Sequence, residues 1–174
     1  YSLLELQSGC PVFVDAGVIR TKKSTKKIPN CVDNFERTSF LYKELRKKTG
    51  SALLFAVEAE SWTRMPSDKL VALSRGALYG LATELNVPLE QYSPQDVKDC
   101  LLGKRSASKQ DIERTMLDGH AELGAYLDAL PGGQRQHASD AAACAYTALK
   151  RSIIVKFYFA SRSSSRGRDS IQKD

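Results

Sequence analysis

Apolar positions in the first twenty residues fall into two short runs. One is Tyr1–Leu6; the other is Pro11–Arg20, with Val12, Phe13, Val14, Val18 and Ile19. Gln7-Ser8-Gly9 between them is a turn signal, so the pair predicts a hairpin. Lys22–Asn30 is a polar, basic loop containing Pro29. From 32 to 49 the period changes to that of a helix, with Val32, Phe35, Phe40, Leu41 and Leu45 as its apolar stripe and Thr49-Gly50 as its end. Leu53–Val57 is a continuous apolar run of the kind a buried central strand carries, and it opens into Glu58-Ala59-Glu60.

Residues 67–86 predict a long amphipathic helix stopped by Asn86-Val87-Pro88. A short strand follows at Pro88–Tyr92. Ser93-Pro94 opens a helix that runs to Leu102, since proline suits the first helical position. Gly103–Ser108 reads as a loop, Lys109–Leu117 as a helix and Pro131-Gly132-Gly133 as another loop. The Ala-rich stretch 137–150 predicts a strong helix. Residues 151–160 are apolar without a period that selects helix or strand. Ser161–Asp174 is rich in Ser and Arg and predicts a basic, disordered tail. No internal repeat is visible. The order of elements predicts an α/β domain over residues 1–160 with helices flanking a mixed sheet.

The chain has 174 residues, enough for one domain with a sizeable core. No apolar run approaches the roughly 20 residues that span a bilayer. No secretory cleavage pattern is visible, and the chain opens at Tyr1 rather than Met, so a removed segment stays open. Four cysteines (Cys10, Cys31, Cys100 and Cys144) lie apart without a CxxC pair. That argues against a zinc site and for reduced thiols in a cytoplasmic setting. The net charge of +6 is unevenly spread. Residues 20–50 hold ten Lys/Arg against three acids, residues 150–174 seven against two, and residues 51–149 nine against thirteen. Basic flanks suit phosphate backbones and an acidic centre suits divalent metals. A merely solvated basic surface would give the same counts.

A few residues stand out as candidates for chemistry. Glu58 ends a buried strand, where α/β sheets place their sites. Glu60, two residues on, shares its side of an extended chain. An acid opening a loop is the plainer alternative. His137 and Asp140 are three apart on a predicted helix and share a face, so they can hold one divalent cation or the water it activates. Helix capping explains the same pair, with His137 in the first turn. Lys98 and Lys109 bracket Lys104 and Arg105 around a glycine, a pattern that suits phosphate contact or a solvated loop. Trp62 follows Glu58 in a polar stretch and can stack on bases or fold onto its own loop. His120 has no acidic or nucleophilic partner at a recognisable spacing and reads as surface or cap. No GxSxG, HExxH, Walker or GxGxxG pattern occurs.

Taken in order, these fragments resemble the RuvC family of Holliday-junction resolvases from Tyr1 to about Arg151. Phe13–Thr21 (FVDAGVIRT) resembles the family's second strand, and Leu54–Glu58 the strand that ends in its second catalytic acid. Leu73–Ala77 resembles a family helix with an Arg-Gly step, here Arg75-Gly76. Tyr92–Lys109 (YSPQDVKDCLLGKRSASK) resembles the segment in which two lysines contact DNA, which would be Lys98 and Lys109. His137-Ala138-Ser139-Asp140-Ala141 resembles the final motif, where Asp or His is followed by Asp. Trp62 falls near the family's wedge aromatic, in a loop one residue shorter. The family's opening strand ends in an Asp-Pro-Gly turn whose Asp binds metal. Tyr1–Leu4 resembles the strand after that turn, which reads as clipping upstream of Tyr1. The basic stretch at 22–48 resembles bacteriophage versions more than cellular ones.

The resemblance implies a ribonuclease H-like fold and a Mg²⁺-dependent endonuclease for four-way junctions, with Mn²⁺ able to substitute. It implies Glu58, Asp140 and His137 as catalytic and metal-binding residues. For DNA contact it implies Lys98, Lys109, Lys104, Arg105, Arg75 and Trp62. A homodimer would match the two-fold symmetry of the junction. Two alternatives stay open: a non-catalytic branched-DNA-binding module, and a ribonuclease H-like nuclease with broader flap and fork specificity.

Overall fold

A computed structural model describes residues 1–59 and 68–166. The predicted hairpin forms from β1 (Ser2–Gln7) and β2 (Cys10–Ala16), paired antiparallel with Gln7 opposite Cys10. Ser8 (φ 53°) and Gly9 (φ 87°) both take positive φ. That twist matches the right-handed twist of the strands and lets two residues close the turn. The chain then runs irregularly to α1 (Asn30–Thr49). β3 (Phe55–Glu58) and β4 (Leu89–Tyr92) pair in parallel, and α2 (Asp68–Leu85) lies in the crossover between them. Arg46 of α1 pairs with Glu84 of α2.

Both helices that follow begin with a reciprocal cap. Ser93 accepts from the Asp96 backbone N–H of α3 (Pro94–Leu102), and the Asp96 carboxylate accepts from the Ser93 N–H. Ser108 and Asp111 repeat the arrangement at α4 (Lys109–Gly119). Each cap satisfies two backbone donors that the helix itself cannot. Three helices complete the described chain: α5 (Ala121–Asp128), α6 (Gly132–Arg151) and α7 (Ile153–Arg166).

α6 organises the fold. Its inner face carries Ala138, Ser139, Ala142, Ala143, Thr147 and Ala148, all buried. Small side chains let neighbouring backbones approach closely. The helix packs on β1 and β3 and on α3 and α4. Phe13, Val97, Ile112, Met116, Leu123 and Leu127 fill one core against it. A second, smaller core joins Phe55, Leu81 and Ala82 to Tyr42 and Leu45.

Several expectations change. The mixed α/β character holds, but the strands form two two-stranded sheets, not one. Among the described residues no ladder joins β1 to β3, although both lie on α6. α6 begins at Gly132, so Pro131-Gly132-Gly133 opens a helix where a loop was predicted. Arg135 anchors that first turn, reaching Glu113 at 2.6 Å and pairing with Asp128, and these tertiary bonds outweigh the weak helix preference of glycine. α5 carried no prediction; its stripe is only Leu123 and Leu127, both fully buried. Residues 151–160 are helical apart from Ser152, and the helix continues to Arg166, inside the stretch expected to be disordered.

Of the two readings for His120, cap holds and surface does not. It sits at the joint of α4 and α5, is 8% exposed, and lies edge-on between Phe13 and Tyr146 with ring centroids 5.0 Å away. Its Nδ1 is 3.3 Å from Glu122 Oε1, which also accepts the Phe13 N–H at 3.0 Å.

Candidate functional site

Glu58 is the last residue of β3 and its side chain is exposed. Its backbone is fixed on both sides: the Ala59 N–H donates to the Tyr92 carbonyl at 2.8 Å, and Arg75 of α2 donates to the Glu58 carbonyl at 2.6 Å. Arg75 therefore braces the end of the strand. Cys144 on α6 senses the acid: burial, and then the Glu58 charge, push its thiol up to about 12. Cys144 lies one helical turn beyond Asp140, so the Glu58 charge faces the part of α6 that carries the candidate motif.

His137 and Asp140 flank the buried small-residue face of α6. His137 is exposed and has no side-chain hydrogen-bond partner among the described residues. Because α6 starts five residues earlier than expected, His137 lies in the second turn and cannot be the cap. Asp140 is half-buried, and both of its oxygens are engaged. Oδ2 accepts from Lys109 Nζ at 3.0 Å, and Oδ1 accepts from the Gln136 amide at 2.8 Å. Gln136 had no role in the sequence reading. Its signal was its position four residues before Asp140, legible only once the helix start is known.

The basic residues gather where α3, its loop and α4 meet α6. Lys98 is half-buried on α3, while Lys104 and Arg105 are exposed in the loop. None of these three forms an ion pair among the described residues, whereas Lys109 is paired with Asp140. The caps below them are anionic. Hydrogen bonds from Ser93 hold the Asp96 carboxyl below its usual range, and those from Ser108 do the same for Asp111. Arg135 of α6 also pairs with Glu113 of α4, a second bond between the two helices that carry Asp140 and Lys109. At the far end of α6, Arg151 donates to Asp99 at 2.7 Å and Ser152 to Glu90 at 2.8 Å, tying the helix to α3 and β4.

The structure thus brings Asp140, Lys109 and Gln136 into contact and leaves His137 beside them. No group of three or more His, Cys, Asp or Glu placed to hold a metal ion occurs among the described residues. Glu60 and Trp62 lie outside the described residues. No helix among the described residues is long and apolar enough to cross a membrane.

No protein-family model matches the chain. It is similar to crossover junction endodeoxyribonucleases RuvC of Prochlorococcus marinus. With that of strain AS9601 it is 25% identical over 112 residues, covering 64% of this chain and 68% of the relative. With that of strain MIT 9312 it is 24% identical over the same lengths. Its fold is similar to Thermus thermophilus RuvC, with a TM-score of 0.65 at 22% identity over 84% of this chain and 83% of that one. The same protein in complex with a Holliday junction substrate gives 0.63 at 20% identity, over 84% and 82%. These likenesses agree with the RuvC resemblance read from the sequence and with the ribonuclease H-like fold it implies.

Proposed function

We propose that this chain is a RuvC-type endonuclease that binds branched DNA, four-way junctions above all, and nicks it by phosphodiester hydrolysis. The observation that carries this reading is the juxtaposition on α6 of an acidic motif, His137 and Asp140, with a basic α3–α4 corner, in a fold similar to RuvC. Phosphates of the DNA backbone lie against Lys98, Lys104 and Arg105, which have no competing ion pair among the described residues. Arg75 acts from behind, holding the end of β3 so that Glu58 keeps its place. Glu58 and Asp140 carry the negative charge of the site, and His137, exposed and free of structural bonds, orients the attacking water. Trp62 is assigned to base contact on sequence grounds.

The cofactor of this reading is a divalent cation: Mg²⁺, replaceable by Mn²⁺. Hard cations take oxygen ligands, and the two carboxylates are of that kind but short of a full set. A homodimer in the cytoplasm completes the reading, because a two-fold junction presents two equivalent strands. One observation favours a second reading, a binding module that does not cut: Asp140 already carries the Lys109 ammonium on one oxygen and the Gln136 amide on the other.

Junction binding in EDTA and junction nicking in Mg²⁺, measured on the same preparations, test both readings. Glu58→Gln and Asp140→Asn are expected to retain binding and lose nicking. With the strand that precedes Tyr1 in the resembling family included, a protein that binds junctions but never nicks them establishes the binding module. Wild-type nicking rates in either variant remove these acids from the site, and absence of junction binding overturns the function.

A further inference from the structure

We propose that Lys109 and Asp140 form an internal latch, in which the Asp140 carboxylate holds the Lys109 ammonium until a DNA phosphate takes it. The latch rests on the branched-DNA reading above and adds a regulated step to it. Lys109 Nζ sits 3.0 Å from Asp140 Oδ2, while the lysine side chain is 63% exposed and the aspartate 25%. The partner that is held is therefore the solvent-facing one, on a flexible four-carbon stem, and the partner that holds it is fixed. Gln136 fixes the carboxylate from its other oxygen at 2.8 Å.

The position of Lys109 favours release. It is the first residue of α4, directly after the Ser108 cap. A helix N-terminus carries partial positive charge and disfavours a cation there. Asp140 offsets that cost in the free protein. A phosphate offers the same ammonium a harder, more exposed anion, and the same helix terminus also welcomes an anion. Arg135 of α6 holds α4 through Glu113 and α5 through Asp128, so the exchange is a side-chain movement. Of the four cations at this corner, Lys98, Lys104 and Arg105 are already free of ion pairs among the described residues. Lys109 is held in reserve on the acid that the nuclease reading makes essential. DNA arrival therefore changes the electrostatics of Asp140 at the moment substrate is present.

An exposed pair of this kind changes an equilibrium by about two- to five-fold, so its competition with DNA is measurable. The test is a double-mutant cycle of wild type, Lys109→Gln, Asp140→Asn and the double variant. Each is titrated against a fluorescent four-way junction in EDTA over a salt series, with no metal and no cleavage. Asp140→Asn is expected to tighten binding by roughly two- to five-fold, because Lys109 then reaches the phosphate without leaving a carboxylate. In the Lys109→Gln background the same substitution is expected to give less than half that gain. Equal gains in both backgrounds mean that Asp140 only repels DNA at a distance, and they overturn the latch while leaving junction binding intact. A wild-type chain that binds no junction overturns the functional reading, and the latch falls with it.

Discussion

Replacing His137 by Ala separates a chemical role from a structural one, because the two roles predict opposite signs for stability. His137 is exposed, lies in the second turn of α6 and forms no side-chain hydrogen bond among the described residues. Its removal opens no cavity and orphans no donor. Alanine is the better helix former by about 0.5 kcal/mol at an interior position. For a domain of this length 1 kcal/mol moves Tm by roughly 2–4 °C, so His137→Ala is expected to raise Tm by about 1–2 °C. Loss of a true cap would instead cost about 1 kcal/mol and lower Tm by roughly 2–4 °C. If His137 orients the attacking water, the same variant loses about 100-fold or more in nicking rate, the usual range for a positioned acid–base group. Calorimetry and a junction-nicking time course on one preparation decide the matter. An Ala variant that melts several degrees lower and nicks at full rate would refute the reasoning, since the residue would then be structural and outside the chemistry.

Two further outcomes follow from the described contacts. Lys98→Ala is expected to weaken binding to every DNA form and to lower the salt slope by about one unit, because Lys98 has no ion pair to leave; an unchanged slope returns it to the solvated surface. Glu122 bears on acid stability. Burial raises its carboxyl, but bonds from the Phe13 N–H, its own N–H and His120 outweigh this and hold it below the usual value of 4.5. A depressed acid stabilises the fold above its unfolded pKa and loses that contribution as pH falls through the folded one. Wild type and Glu122→Gln are therefore expected to differ most in Tm near pH 7 and to converge below about pH 4.5. Parallel Tm curves over that range would remove Glu122 from the acid response.

Periodicity and punctuation carried much of the architecture into the sequence. Ser8-Gly9 and Gly103 are local signals tied to positive φ, and Ser93-Pro94 is one tied to a capping hydroxyl and a fixed helical φ; each stands where the structure has a turn or a cap. The start of α6 at Gly132 runs against such local signals. Pro-Gly-Gly is a loop signal until Arg135 finds Glu113 and Asp128, which lie 22 and 7 residues away along the chain. His120 occupies the cap position between α4 and α5, one of the two alternatives its sequence offers; its burial is not legible there because Phe13 and Tyr146 are distant in sequence and meet only when β2 and α6 pack.

The sequence alone determined which residues could be acids and bases of a site and in what order they come. Glu58 closes an apolar run, His137 and Asp140 share a helical face, and Lys98 to Lys109 surround a glycine; all of this is covalent spacing combined with a 3.6- or 2-residue period. Only the tertiary structure decided how those groups are engaged. Asp140 receives Lys109 from 31 residues upstream, Glu58 reaches Cys144 by field alone, and β1 and β3 stand on one helix without pairing. Spacing along the chain records a face and a period. It does not record which opposite charge will occupy a carboxylate, because that depends on helices that meet only when their small, buried faces pack.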